Sequence, residues 1–272
     1  MTAKDKLDKP LLQARTSEEL LARKPRKPTA AECCGGGCAV CVNDIYAQEL
    51  AIWEDECMRE LQYGPGNRGS QQGPAISPDY YKSFVLQNIR KMTECCSKYT
   101  FAIDDFGCLG YGVGQHLIMR ASVDGEIVTR QYTPVSHPSA LTLGTLLYIM
   151  QVYPKGKMSK YIKTLKEGCS VEWRGPLGGL DYKPNTHKRM LLLAAGTGIA
   201  PMVQVLRHIT SMEEDYTMVR LLFGTAKYRD IYLKDELDEL KHFWNVSILY
   251  CLSDENSRTP VNEQADLLLV LT

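Results

Sequence analysis

The chain has 272 residues, which suits two domains and a tail better than one small domain. Its 44% apolar and 24% charged residues are ordinary for a globular protein with a real core. The 32 basic and 32 acidic residues cancel, so there is no basic excess of the kind that marks a nucleic-acid binder. No apolar run approaches the ~18 residues of a transmembrane helix. Met1–Pro10 alternates charges without an apolar core, so a secretory signal is not expected, and Thr2 stands where N-myristoylation needs glycine. Of the ten cysteines, Cys33, Cys34, Cys38, Cys41, Cys95 and Cys96 are clustered rather than spread for disulfides. That usage predicts a reducing, cytoplasmic setting with no evident membrane association.

Residues 1–62 form a polar lead-in followed by a Gly- and Cys-rich stretch and a helix. The helix is predicted over Val42–Leu61, where Val42, Ile45, Tyr46, Leu50, Trp53, Cys57 and Leu61 recur at steps of three and four. Residues 63–79 have the Gly, Pro, Asn, Ser and Gln composition of a linker. Over residues 80–184, short β-rich runs at Tyr81–Ile89, Tyr99–Ile103, His116–Val123, Glu126–Tyr132, Thr145–Tyr153 and Ser170–Arg174 predict an antiparallel barrel. Asp124-Gly125 is a hairpin turn, and one helix, about Ser159–Leu165, interrupts the strands. Over residues 185–272 the period changes. Apolar strands at Arg189–Ala195, Met218–Phe223 and Val246–Leu252 alternate with helices at Met202–Met212 and Lys234–Phe243. That alternation predicts a parallel sheet with helices on its faces. Trp53, Trp173 and Trp244 read as core residues.

Four motifs carry chemistry. Arg130-Gln-Tyr-Thr-Pro-Val-Ser136 lies on a barrel strand, Lys155-Gly-Lys-Met-Ser159 opens the barrel's helix, Gly175-Pro-Leu-Gly178 follows a strand, and Ala195-Gly-Thr-Gly-Ile-Ala-Pro201 closes the first parallel strand. Arg130 offers a planar fork for bidentate phosphate contact. Tyr132, two residues on, shares its face of the strand and can lie against a flat ring while its hydroxyl stays bonded. The amides of Gly156, Lys157, Met158 and Ser159 stand where a helix dipole favours a pyrophosphate, although Ser159 alone would read as an N-cap. His116 reads as structural rather than catalytic.

In order and spacing these motifs resemble the NADH–cytochrome b5 reductase branch of the ferredoxin-reductase-like flavoproteins, over about residues 80–252. The resemblance implies an antiparallel Greek-key FAD-binding barrel, then a Rossmann-like parallel-sheet nicotinamide domain (here incomplete), behind a small Cys-rich helical leader. It implies FAD and NADH as cofactors, with Arg130, Tyr132, Thr133, Pro134, Ser136, Val152, Gly156, Lys157, Met158, Ser159, Gly196, Thr197 and Gly198 as cofactor-binding residues. No catalytic acid, base or nucleophile is implied, because the flavin carries the hydride. The partners implied are NADH and a one-electron acceptor such as cytochrome b5. The segments Phe223–Asp230 and Tyr250–Ser253 match the family's nicotinamide loops, with Ser253 in a slot that typically holds an aspartate and Asp254 next to it. That leaves NADH versus NADPH open, with a lean to NADH.

The sequence departs from the family at three places. Ala200 replaces a threonine near the flavin, Gln151 replaces a lysine thought to help hold NADH, and the chain ends at Leu267–Thr272 before the family's Cys-Gly-Pro motif. A shortened sheet would carry an unpaired apolar edge. Pro28–Leu50 resembles a short oxidoreductase-like N-terminal domain. Its Cys33, Cys34, Cys38 and Cys41 suit zinc or an iron–sulfur cluster by chemistry, but most zinc sites separate two ligand pairs by roughly a dozen residues or more. Metal ligation and reduced thiols capping a helix both stay open. A non-catalytic interaction or regulatory module, using the leader to bind a partner, is the alternative to a reductase.

Overall fold

The structure is a computed structural model that describes residues 20–29, 32, 41–63, 76–103, 111–136, 145–254 and 267–269. Helix α1 spans Val42–Tyr63. Strands β1 (Lys82–Lys91), β2 (Cys96–Ala102), β3 (Gln115–Val123), β4 (Glu126–Tyr132), β5 (Thr145–Gln151) and β6 (Ser170–Gly178) follow, with helix α2 (Lys157–Thr164) between the last two. The second half holds β7 (Arg189–Ala195), α3 (Ile199–Thr210), β8 (Met218–Thr225), α4 (Lys234–Leu240), β9 (Val246–Leu252) and β10 (Leu267–Leu269). No helix among the described residues is long and apolar enough to cross a membrane.

The first six strands form one antiparallel sheet in the order β4-β3-β6-β1-β2-β5. At the predicted hairpin, Asp124 (φ 53°) and Gly125 (φ 79°) both take the left-handed conformation that matches the twist of flanking strands. The two outer strands are brought round towards each other just beyond β4. There the Val135 amide donates to the Leu147 carbonyl of β5 at 2.7 Å. Inside, Trp173 stacks on Tyr148 at 4.4 Å, and Phe101 meets both rings edge-on at 5.3 and 5.9 Å. Such aromatic pairs add about 0.5–1.5 kcal/mol each beyond their buried area.

The second sheet is parallel, in the order β10-β9-β8-β7. Along β9 the side chains of Val246, Ile248, Tyr250 and Leu252 are buried in strict alternation. β7 differs from the fully covered strand that its apolar sequence predicts. Only Leu192 is buried, while Leu191 and Leu193 are 58% and 62% exposed, because no described element lies over that face. Trp244 is likewise not core. It is 68% exposed and leans on Tyr216, because it sits in the turn that enters β9 rather than on the strand's inner face.

The two sheets share buried residues. Cys96, Val113, Val135 and Ile149 of the first unit pack with Ile199, Val203, Ile231 and Tyr232 of the second. Gln204 on α3, fully buried, donates to the Pro134 carbonyl at 2.7 Å and accepts from the Gly114 amide at 2.7 Å. Arg207, one turn on, donates to the Val135 carbonyl and pairs with Glu236 at 2.7 Å.

Helix α1 is fixed to the outside of the barrel by charge. Arg174, 2% exposed, pairs with Glu49 at 2.6 Å, and the Tyr81 hydroxyl donates to both oxygens of the same carboxylate at 3.0 and 2.9 Å. Two helical turns further along, Glu56 takes two bonds from Arg120 at 2.9 and 3.0 Å. Arg120 also holds Glu172 and lies over the Tyr81 ring at 3.8 Å. Breaking such a buried pair strands a charge without its partner, at a cost of about 3–5 kcal/mol. Arg174→Leu is therefore expected to lower unfolding stability by about that amount in chemical denaturation. A loss below about 1 kcal/mol, the range of exposed pairs, would mean that Glu49 is solvated.

Candidate functional site

A cavity of about 450 Å3 opens where the antiparallel sheet meets the N-terminal end of α3. One wall is the end of β4, with Arg130, Gln131, Tyr132 and Thr133. The second is the start of α2, with Gly156, Lys157, Met158 and Ser159. Thr197, Gly198, Ala200 and Pro201 form the third, and Ile149, Gln151 and Tyr153 of β5 and its exit lie between them.

Each wall has a physical cause. Tyr132 is held from behind by Trp173, ring centroids 6.0 Å apart at 75°. Burial pushes its phenol up to about 12, with Arg130 pulling the other way, so the ring stays neutral. Arg130 is exposed, and its guanidinium donates to the Thr129 carbonyl at 2.7 Å. Among the described residues no carboxylate pairs with it. At α2 the preceding residue is Gly156, which supplies no side-chain cap, so the first amides of the helix face the cavity as open donors. A Cβ on Gly156 would stand 2.7 Å from the Ser159 hydroxyl. Ser159 is neither a cap nor free. It is buried, and its oxygen accepts the Tyr153 amide at 2.9 Å.

Nine of the thirteen residues singled out in the sequence line this cavity: Arg130, Tyr132, Thr133, Gly156, Lys157, Met158, Ser159, Thr197 and Gly198. Four do not. Pro134 is buried, and its carbonyl is taken by Gln204. Ser136 is spent on joining the ends of the barrel. Its carbonyl accepts the Tyr111 hydroxyl at 2.9 Å, and its own hydroxyl accepts the Leu147 amide at 3.4 Å. Val152 packs into the barrel core while its amide donates to the Cys95 carbonyl. Gly196, at φ 54°, turns the chain behind the wall.

Tyr153, which the sequence reading did not single out, and His116, which it read as structural, also line the cavity. Tyr153 donates its hydroxyl to Gln151 Oε1 at 3.2 Å. Its signal was an aromatic three residues before the Gly156-Lys-Met-Ser159 turn. His116 lines the cavity as well, and burial, reinforced by Arg174, holds its pKa below the usual histidine value. Gln151 and Ala200, the two departures from the family pattern, both face this space. At the same C-terminal edge of the parallel sheet as the Gly196–Gly198 turn, the loops that follow β8 and β9 come together. The Ser253 amide donates to the Thr225 carbonyl at 3.2 Å, the Asp254 amide to the Ala226 carbonyl at 2.8 Å, and Lys227 pairs with Asp254 at 3.5 Å. Cys33, Cys34 and Cys38 lie outside the described residues, and among the described residues no cluster of His, Cys, Asp or Glu is arranged to hold a metal.

With this geometry the similarity to known proteins is specific. Residues 83–182 match the oxidoreductase FAD-binding domain, 192–265 the oxidoreductase NAD-binding domain, and 20–62 the oxidoreductase-like N-terminal domain. The human NADH-cytochrome b5 reductase-like protein is 39% identical over 89% of this chain and 76% of its own. The chain belongs to the NADH–cytochrome b5 reductase family. The mouse NADH-cytochrome b5 reductase-like protein is 38% identical over 89% of this chain and 77% of its own. The cytochrome b5 reductase domain of Ulva prolifera nitrate reductase superposes with TM-score 0.62 at 29% identity, over 69% of this chain and 79% of that one. A Neisseria gonorrhoeae ferredoxin NADP+ reductase with bound FAD and NADP shares the fold at TM-score 0.58 and 17% identity, over 70% of this chain and 72% of that one. Like its relatives, this reductase-family chain joins an FAD-binding barrel to an NAD-binding parallel sheet and is an oxidoreductase.

The Tyr132 environment predicts a pH effect. A phenol pKa raised above the roughly 10 of an unfolded tyrosine contributes stability that is complete below pH ~10 and lost as pH rises through the folded value. The phenolate absorbance of the native chain minus that of Tyr132→Phe should titrate near 12. A midpoint at an ordinary tyrosine value would show that the ring is solvated.

Proposed function

We propose that this chain takes a hydride from NADH and passes the electrons singly to a one-electron acceptor such as cytochrome b5. The observation that carries the reading is one cavity in which a cation with no carboxylate partner among the described residues, an uncapped helix start and a shielded aromatic ring face the Thr197-Gly198 turn. These groups fit FAD. Arg130 and the first amides of α2 would hold the two sides of its pyrophosphate. Tyr132 and Thr133 would lie along the ribityl and ring edge. When bound, FAD supplies two-electron acceptance from a nicotinamide and one-electron release.

The chain's own residues do the rest. Trp173 fixes the tilt of Tyr132, and burial keeps its phenol a neutral donor rather than an anion beside an electron-rich ring. Gly198 has open space where a Cβ would stand, so a second flat ring can approach the backbone there. Ala200 offers no hydroxyl in that wall, and Gln151, braced by Tyr153, presents a neutral amide in place of an ammonium. Both changes weaken polar grip on the nicotinamide side more than on the pyrophosphate side. Gln151 is also what favours the other reading, a non-catalytic interaction or regulatory module, while the flavin motifs oppose it.

Arg130→Ala removes charge-assisted bonds of about 1.5–3 kcal/mol, so FAD affinity should fall roughly ten- to a hundredfold in a fluorescence titration. Unchanged affinity would contradict this assignment of the site. Anaerobic NADH should bleach the visible flavin absorption of the purified chain. Absorption that persists would leave binding intact and exclude the reductase reading.

A further inference from the structure

A second cavity, of about 350 Å3, lies along the earlier part of β4, next to the first. Its walls come from two parts of the chain far apart in sequence. The N-terminal unit gives Pro25 and Pro28, then Ile45 and Tyr46 from the first turns of α1, while the barrel gives Ile127 and Thr129. Arg130 and Lys157 line this cavity and the first one alike, so the two spaces meet between two cations.

We infer that this second cavity receives the adenosine end of FAD, so that the N-terminal unit is part of the flavin site. The inference rests on the flavin reading above and extends it to a part of the chain that reading does not use. A flavin dinucleotide has two flat ring systems joined by a pyrophosphate. Here a cavity with a shielded tyrosine, a pair of cations and a second cavity with apolar and aromatic walls follow in that order.

Charge supports adenosine over a second anion. Beyond the junction, Arg26 is neutralised by Glu32 at 2.5 Å, and Glu32 also accepts the Thr29 amide at 2.6 Å. Hydrogen bonding to Arg26 and Thr29 holds the Glu32 carboxyl at about 2, so it stays ionised and paired. Lys157 at the junction pairs with Glu126 at 2.5 Å, but both side chains are about half exposed, at 56% and 47%, and the ammonium can turn towards a phosphate. The far end therefore offers apolar faces and carboxylate acceptors, which suit a purine with an exocyclic amine and a ribose with two hydroxyls. The wall cannot drift away from the barrel, because α1 is clamped by Glu49 and Glu56 to Arg174 and Arg120.

FMN separates this inference from the reading on which it rests, since it has the isoalloxazine and a phosphate but no adenosine. FAD and FMN affinities would be measured by fluorescence quenching on the deflavinated full chain and on two variants from opposite walls. Tyr46→Ala removes one face of the cavity, and Thr129→Trp fills it from the strand. Each variant should bind FAD about tenfold more weakly with FMN affinity unchanged, and AMP should compete with FAD but not with FMN. Circular dichroism identifies a variant that fails to fold, and the other then decides. Equal loss of FAD and FMN, no loss of either, or AMP without effect on FAD would overturn the inference and leave flavin binding standing. A chain that takes up neither flavin would overturn both.

Discussion

The amide of Gln204 holds the working parts of this molecule in register. It is fully buried and reaches from α3 into the barrel, bonded at one end to the Pro134 carbonyl and at the other to the Gly114 amide. Pro134 directly follows the strand end that carries Arg130, Tyr132 and Thr133, and α3 begins at the turn that carries Thr197 and Gly198. One side chain thus fixes the distance between the two walls of the cavity. An amide can do this because it presents a donor and an acceptor at once, and the Pro134 carbonyl would otherwise be buried without a partner. The apolar packing of Val135 and Ile149 against Ile199 and Val203 supplies most of the adhesion between the units. The Gln204 bonds supply direction, which apolar contact lacks.

The attachment of α1 works differently. Glu49 and Glu56, seven residues apart, stand two turns apart on one face of the helix, and each meets an arginine of the barrel. Buried ion pairs of this kind add little net stability over an apolar contact, but they define a single orientation. Tyr81 serves both, with its hydroxyl on Glu49 and its ring under Arg120. The barrel therefore sees the N-terminal unit at a fixed angle, with Pro28 and Tyr46 opposite the outer residues of β4.

Much of this was legible in the sequence where local rules govern. β4, β7 and β9 have the bounds that their apolar runs and turn residues predict, and the Asp124-Gly125 hairpin has the backbone those residues favour. Helix α3 starts three residues earlier than its apolar period predicts, because Pro201 sits within the first turn, where a missing amide is harmless. β6 runs on past Arg174 through Gly175, where a Cβ would stand 3.0 Å from Leu117. That close approach to β3 depends on strand order, which no local pattern encodes. The same limit explains the site. Motif residues adjacent in sequence divide between cavity and scaffold, so Ser136 joins the barrel ends while Thr133 lines the cavity. Lining residues such as His116 arrive from another strand. The leader's Glu49 and Glu56 fall outside the helix's apolar stripe, and the arginines that meet them come from distant strands.

The uncovered face of β7 has its own consequence. Leu191 and Leu193 lie two apart on a strand that pairs with only one neighbour among the described strands. An edge of that kind offers unpaired backbone groups and a greasy surface together, which is the template for adding a strand from another molecule. A second molecule that covered Leu191 and Leu193 would remove apolar surface from water without disturbing the packing on the buried face of β7.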